Sequence, residues 1–501
     1  MKNLVFVVLP KVETTFPPGA LAILSSVAKL NDYSVKIVDY NLDLLDQLSD
    51  DEWNTLEAWN TFSLDHIDQQ LDSKIKNIFI NSIKNTIDSN TCYVCFSVFS
   101  YFSNRIAEKI LTLYQENFSV PTVIGGTGVS TDTSANNKEI FGERIVKNSL
   151  ADYVIFGEGE VSFDSLLKGI TNYPGINKNN PIQIDDLSSL PTPTYEYFDM
   201  KRYQNKKILI TGSRGCVRKC TFCDIELTWP KFRYRSAENI VDEIKKHFYE
   251  YGITEFEFTD SLINGSISNF DRFNELLYNE KQKDPALQAI KYQGQFICRP
   301  SVQQKEHSYE LMHLAGCNML ITGIESFSNN VRTHMKKKFS NEDIDFHFEQ
   351  CARWGIPNVV LMIVGYPTET FEDHNDNLKA IAKYKHYADM GTIFMIRWGF
   401  TMHLYEHTPI MSMIDELQLK LETNVKFDSL YGWTSGTNPT NTLDERIRRR
   451  IEIHELCIKL GYPMPRVREE LLAIKKLAEQ YQDFKQKPKK IFELKQTVNL
   501  R

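Results

Sequence analysis

The sequence predicts an α/β protein: an N-terminal doubly wound parallel-sheet domain, then a partial βα barrel, then a helical C-terminal region. Three observations carry this. Short runs rich in Val, Ile and Phe alternate with stretches of helical apolar spacing over residues 4–167 and again over 208–398. An Asn-, Pro- and Gly-rich stretch at 171–193 separates the two series. Beyond about residue 411 the pattern turns mainly helical. With 501 residues, 42% hydrophobic and 25% charged, the chain has the composition of folded proteins and the length for two or three cores.

In the first series, residues 4–9 read as a strand, 19–30 as a helix and 34–39 as a strand, a βαβ opening. A polar, acidic, helical-looking insertion covers 44–89. Alternation resumes with a strand at 93–98, a helix at 103–115 and a strand at 122–125; a further strand at 152–156 is closed by Gly157-Glu158-Gly159-Glu160 and a helix to Leu167. Such alternation predicts an open, mostly parallel sheet covered on both faces, with ligands beyond the carboxyl ends of its strands. The second series has strands at 208–211, 255–259, 292–298, 319–324, 358–364 and 391–398, the pattern of a half-open or closed parallel barrel. Helices follow at 443–460 and 465–484. The expected domains are 1–170, a linker at 171–200, 201–410 and 411–501.

A net charge of −7 provides no global positive field, so nucleic acid is not an expected partner, and the run Arg446, Arg448, Arg449, Arg450 reads as a solvated helix face. The apolar opening lacks a basic region and a small-residue cleavage site, so it reads as a buried strand rather than a leader. No stretch approaches the ~20 apolar residues of a membrane span. A cytoplasmic protein is expected. Nine cysteines, an odd number, fit thiols or metal ligands in a reducing compartment. Cys92, Cys95, Cys298, Cys317, Cys351 and Cys457 read as core thiols.

The other three stand together. Cys216-Val217-Arg218-Lys219-Cys220-Thr221-Phe222-Cys223 follows the first strand of the second series, in a loop opened by Gly212 and Gly215. Thiolates are the usual ligands of iron–sulfur clusters, and three cysteines on a four-iron cluster leave one iron open to a substrate or cofactor. Glycines let backbone wrap an inorganic core, and Arg218 and Lys219 offset part of its negative charge. The alternatives are incidental buried thiols or zinc. Structural zinc takes four protein ligands, and the next histidine, His247, falls on a predicted helix.

CxxxCxxC after the first strand of a βα barrel resembles the radical S-adenosylmethionine (SAM) superfamily, with Phe222 matching the aromatic residue before the third cysteine. The resemblance covers about residues 205–410. Residues 257–264 are similar to the second-strand region lining the SAM site, although Thr259-Asp260-Ser261 stands where many members have Gly-Gly-Glu. Gly323-Ile324-Glu325-Ser326 is similar to the fourth-strand motif whose acidic residue helps hold SAM, and Gly365-Tyr366-Pro367-Thr368-Glu369-Thr370 to the turn near the adenine. The resemblance thus implies Phe222, Asp260, Arg299, Glu325, Ser326, Gly365 and Glu369 around SAM. Glu325, Glu369 and Arg299 each have a second reading. Glu325 and Glu369 can cap the helices that follow them, and Arg299 can pair on the surface instead of binding a carboxylate.

The N-terminal series resembles the cobalamin-binding domain that precedes the radical SAM domain in one subgroup, through Phe16-Pro17-Pro18-Gly19, residues 97–101, Gly125-Gly126-Thr127-Gly128 and residues 152–160. The resemblance implies Ser97, Gly125, Gly126, Thr127, Gly157 and Glu158 as cobalamin contacts. The same glycines serve packing in any doubly wound domain. The Asp-x-His-x-x-Gly motif that supplies a lower histidine ligand in many cobalamin proteins is missing; His66 is the one histidine before the cluster motif and no such glycine follows it.

The resemblance implies a 4Fe-4S cluster on Cys216, Cys220 and Cys223, reductive cleavage of SAM to a 5′-deoxyadenosyl radical, cobalamin, a small-molecule substrate, and an electron donor such as flavodoxin or ferredoxin. Methylation of an unactivated carbon leads. Oxidation, cyclisation or rearrangement without methyl transfer is the alternative, and an iron–sulfur electron-transfer module is the alternative from another class.

Overall fold

The structure, a computed structural model, describes residues 1–10, 15–57, 67–99, 101–130, 140–205, 207–405, 408–421, 432–463 and 467–486. His66 lies outside them. The chain forms two compact units: Met1–Lys219 with Asp224–Ile297 and Val302–Leu320, and Cys220–Cys223 with Cys298–Ser301 and the chain from Ile321 onward.

The first unit begins as the apolar runs dictate. β1 (Asn3–Val8) is buried along its whole length, as a strand covered on both faces must be. α1 (Gly19–Leu30) and β2 (Ser34–Asp39) complete the βαβ opening. The acidic insertion folds as three helices, α2 (Tyr40–Gln47), α3 (Asp50–Glu57) and α4 (Gln69–Lys84). Asp39 and Asp68 cap the first and last of them by accepting backbone N–H groups. α4 turns Leu71, Ile75, Ile78 and Phe79 into the core cluster that also holds Val94 and Phe96. β3 (Thr91–Ser97), α5 (Tyr101–Asn117), β4 (Thr122–Gly125), α6 (Phe141–Lys147), β5 (Tyr153–Ile155) and α7 (Gly159–Leu167) follow. The sheet order is β2-β1-β3-β4-β5, with every pair parallel. Winding reverses between β1 and β3, which makes the carboxyl ends of these strands the switch point where doubly wound sheets bind ligands.

The Asn- and Pro-rich stretch has no helix beyond the single 3-10 turn Leu187–Ser189, yet it is fixed in place: Phe156 N–H donates to Gly175 O and Asn177 N–H to Val154 O. β6 (Lys207–Ile210) starts the second series; β7 (Ser213–Arg214), α8 (Ile225–Thr228) and β8 (Arg233–Tyr234) follow, with β7 and β8 antiparallel to each other. α9 (Ala237–Tyr251), capped by Ser236 and stopped by Gly252 at φ 66, leads into β9 (Glu255–Phe258), α10 (Ile267–Lys283), β10 (Lys291–Phe296) and α11 (Glu306–Ala315). β11 (Cys317–Glu325) begins in this unit and ends in the next. Here the neighbours run β6-β9-β10-β11.

The second unit continues with α12 (Asn329–His334), α13 (Asn341–Trp354), β12 (Asn358–Val364), α14 (Phe371–Lys383), α15 (Lys385–Asp389) and β13 (Ile393–Thr401), in the sheet order β11-β12-β13. Ser340 with Asp343, and Thr370 with Asp373, close capping boxes at the starts of α13 and α14. Strand order that rises with chain order is that of part of a βα barrel. α16 (Ile414–Leu417), β14 (Leu419–Leu421), β15 (Trp433–Ser435), α17 (Leu443–Leu460) and α18 (Val467–Gln486) form the mainly helical remainder. The antiparallel β14–β15 pair departs from the helical expectation, because three-residue strands are too short to show a period of two.

The arginine run corrects the sequence reading more sharply. Of the run, only Arg448 lies on the exposed face of α17; Arg446, Arg449 and Arg450 are buried, Arg446 donating to the Asn441 and Trp433 carbonyls and Arg449 pairing with the Glu369 carboxylate. Charge alone does not show whether a partner waits inside.

Candidate functional site

All nine cysteines are thiols. Cys95, Cys298, Cys317, Cys351 and Cys457 are buried and Cys92 is half-buried. In the first unit, the turn from β6 toward the cysteine motif is held by Asp260. Its buried carboxylate accepts Gly212 N–H at 2.8 Å and the Ser213 hydroxyl at 2.6 Å. Burial pushes its carboxyl up to about 6, against the lowering pull of the Ser213 and Gly212 hydrogen bonds. A carboxylate whose folded pKa exceeds its unfolded value stabilises the fold fully below the unfolded value, and that stability is lost as pH rises through the folded one. We therefore expect about 3 kcal/mol of stability to disappear between about pH 4 and pH 6 in the wild type and not in Asp260→Asn, as read from urea unfolding midpoints across that range.

Gly215 adopts φ 88, and a Cβ there would collide with the Lys231 carbonyl, so only glycine makes this turn before Cys216. Arg214, one residue earlier, lies against Trp229 at 5.2 Å and forms ion pairs with Glu158, at 3.2 Å, and Glu160. Arg233 pairs with Glu158 as well. Cys216 is half-buried and its sulfur accepts Arg218 N–H at 3.4 Å.

In the second unit, Cys220 is buried, and Phe222 and Cys223 are half-buried. The residue between them anchors the segment. Thr221 donates its N–H to Met335 O, accepts Ile410 N–H at 2.7 Å through its carbonyl, and shares a 2.7 Å hydrogen bond with the Tyr366 hydroxyl. Facing Phe222 is a buried lysine that the sequence did not single out. Lys337 Nζ lies 5.7 Å from the Phe222 ring centroid, 6.0 Å from that of Phe339 and 3.2 Å from Glu325 Oε1. Its ammonium pKa is raised although burial alone lowers it, because Glu325 and the Cys220 and Cys223 sulfurs favour the cation. The signal in the sequence was alternation: Met335, Lys337 and Phe339 are buried while Lys336 and Lys338 are exposed.

Glu325 ends β11 at φ 67, an unusual conformation for a residue with a side chain, and pairs with Lys337. It does not cap α12; Ser328 does, accepting Val331 N–H. Ser326 is buried, donating to Asn377 Oδ1 at 3.3 Å and accepting Ser328 N–H at 3.2 Å. Arg299 is half-buried just beyond Cys298.

The turn after β12 is clamped from the C-terminal region. Gly365, at φ 82, leaves room for the Arg446 side chain, into which any Cβ would run. Glu369 is 0% exposed; it accepts Gly365 N–H at 3.1 Å and pairs with Arg449 at 2.8 Å. Thr370, not Glu369, caps α14. Asn438 donates to Pro367 O and Glu369 O, and Asn441 to Tyr366 O. Arg446 lies 3.8 Å from the Trp433 ring centroid, and Trp433 donates to Met402 O, so this tryptophan is a core residue of the clamp.

At the switch edge of the first sheet, Ser97 and Gly125 stand in register at the ends of β3 and β4, with Gly126, Thr127 and Phe99 exposed beyond them. Gly126 and Gly157 take positive φ, and their missing Cβ atoms would strike Val98 O and Pro181, so packing requires both. Glu158 is turned inward to Arg233, Arg214 and the Ile184 N–H.

The donor set suits an iron–sulfur cluster: three thiols on one glycine-opened loop with a buried cation beside two of them. No group of three or more His, Cys, Asp or Glu side chains among the described residues is spaced to hold a single metal ion. A four-iron core asks something different, that each thiolate reach its own iron.

Residues 210–381 match the family model of the radical SAM superfamily. The chain carries a radical SAM domain, and the protein is a radical SAM enzyme. A protein of Pyrococcus horikoshii named an uncharacterized methyltransferase is 26% identical over 396 residues, 74% of each chain. The solved structure of the radical SAM methyltransferase TsrM from Kitasatospora setae, with tryptophan substrate and aza-SAM bound, matches with a TM-score of 0.63 at 18% identity, over 85% of this chain and 79% of that one. The cobalamin-dependent SAM radical enzyme OxsB, with aqua-cobalamin bound, matches at 0.65 and 16% identity, over 97% and 72%. At these identities the likeness is one of fold. Among the described residues no helix is long and apolar enough to cross a membrane.

Proposed function

We propose that this enzyme holds a 4Fe-4S cluster on Cys216, Cys220 and Cys223, binds SAM at the remaining iron, and methylates an unactivated carbon with cobalamin carried by residues 1–170. The observation that carries the reading is the cysteine loop itself: three thiols directly beyond a strand, with Cys220 and Cys223 fixed by Thr221 and faced by the Lys337–Glu325 pair. Cys216, Cys220 and Cys223 would hold the cluster, which would supply the electron for reductive cleavage of SAM.

The chain's own residues position and enclose. Arg299 offers a guanidinium to the SAM carboxylate. Glu325 and Ser326 mark the strand end beside it, and Phe222 adds an apolar wall. The Gly365 turn is the segment that would face the adenine, and Glu369 acts by holding that turn through Gly365 N–H and Arg449. Asp260 fixes the approach to Cys216 through Gly212 and Ser213. For cobalamin, the rim of half-buried Ser97 and Gly125 with exposed Phe99, Gly126 and Thr127 at the switch edge is the supporting feature. Glu158 and Gly157 stand behind it as packing residues. Among the described residues of this rim no histidine offers a lower ligand. A small-molecule substrate and a flavodoxin- or ferredoxin-like donor complete the reading.

The test is anaerobic reconstitution of the full chain with iron, sulfide and hydroxocobalamin. Expected are a four-iron cluster, corrin absorption that survives desalting, and both 5′-deoxyadenosine and S-adenosylhomocysteine on addition of SAM and reductant. Absence of both products removes the enzymatic reading. Formation of 5′-deoxyadenosine without S-adenosylhomocysteine favours radical oxidation, cyclisation or rearrangement.

A further inference from the structure

We propose that Lys337 is the fixed counter-charge of the cluster loop, a positioning residue that makes the iron–sulfur unit bound by Cys220 and Cys223 easier to reduce while it holds Glu325 in place. The inference rests on the cluster reading above. Burying an ammonium is costly unless something gains from its charge. Lys337 is 5% exposed, and the surrounding backbone accepts strain to place it: Lys336 and Lys338 on either side adopt φ 60 and 58, in the left-handed region that residues with side chains avoid. Glu325, its partner, sits at φ 67. Gly323 completes the arrangement, because a Cβ there would lie 2.7 Å from Glu325 Oε1 and 3.4 Å from Lys337 Nζ.

The turn that presents Lys337 is also the one to which the cysteine segment is tied. Thr221 N–H donates to Met335 O at 3.3 Å and the Thr221 hydroxyl to His334 O at 3.4 Å, so the ammonium is carried by the same backbone that fixes Cys220 to Cys223. The position over the Phe222 ring places it against one of the two residues between the second and third cysteines. The reduction in question is a one-electron step. The reductant gives up one electron, no proton moves, and the iron–sulfur unit becomes one charge more negative, a change that a neighbouring fixed cation favours in a low-dielectric setting.

The experiment is a potentiometric titration of the anaerobically reconstituted full chain without SAM, followed by electron paramagnetic resonance. At the potential that half-reduces the wild type, Lys337→Gln is expected to lower the ratio of reduced to oxidised cluster about tenfold, ~59 mV for a one-electron couple, while Lys337→Arg keeps it near wild type. Equal midpoints in wild type and a fully loaded Lys337→Gln overturn the inference. Should Lys337→Gln fail to take up iron, Glu325→Gln decides. Removing the carboxylate leaves the cation uncompensated and is expected to raise the ratio; an unchanged ratio overturns the inference. A wild type that takes up no cluster overturns the reading of the site itself, whereas a loaded wild type with an unmoved variant removes only the role of Lys337.

Discussion

Cys220→Ala brings 5′-deoxyadenosine formation down to the uncatalysed background, an expected loss of at least about 10⁶-fold on the scale of enzymatic rate enhancements. Cys220 is the buried member of the trio, flanked by a Thr221 that is locked to Tyr366, Met335 and Ile410. Alanine leaves those backbone contacts intact, so the fold is expected to survive while one thiolate is gone. Two cysteines hold two irons of a four-iron core, and the cluster is lost or reduced in size. Iron and sulfide analysis beside circular dichroism checks the claim. A variant that keeps four irons and full SAM cleavage would sink it.

Arg449→Met is expected to destabilise the second unit by about 3–5 kcal/mol, because it strands the fully buried Glu369 without its cation. Burial raises the Glu369 carboxyl pKa while Arg449 and the Gly365 N–H pull it back down. Without Arg449 the folded value climbs further above the unfolded one. The stability attached to the protonated acid is present at low pH and lost as pH rises through the folded value, so the variant should suffer more at pH 8 than at pH 6. Adding Glu369→Gln is expected to recover most of the loss, since replacing both partners removes the stranded charge. Denaturant unfolding of the two single variants and the double variant tests this cycle. SAM affinity, measured by calorimetry on the cluster-loaded chain, should fall in Arg449→Met, as Arg449 and Glu369 together hold the turn proposed to face the adenine.

The parts legible in advance share a physical reason. In the first sheet β4 stands where its apolar run put it, because a strand buried on both faces reads as an uninterrupted apolar run, while the half-buried β2 and the helix α1 follow their own apolar spacing. The cysteine spacing was legible because Cys216, Cys220 and Cys223 stand within one short stretch of chain and need no tertiary contact to be seen together. Glu325 and Glu369 were legible as important but not as to role: a carboxylate before a helix looks like a cap, and only the structure shows Ser328 and Thr370 doing the capping. Lys337 and Arg449 were hidden in runs of like charge, which look solvated until their partners, distant in the chain, are seen.

The sequence by itself determined the strand–helix alternation, the order of the two sheets and the three-cysteine loop, since each depends on contacts among near neighbours or on a periodicity local to the chain. Only the tertiary structure decided which charges are buried and against what. Arg449 meets Glu369 across 80 positions, and Lys337 meets Glu325 and Phe222 through a strained turn. The free energy of a buried charge depends on the groups packed around it from several elements at once, and no window of sequence contains them.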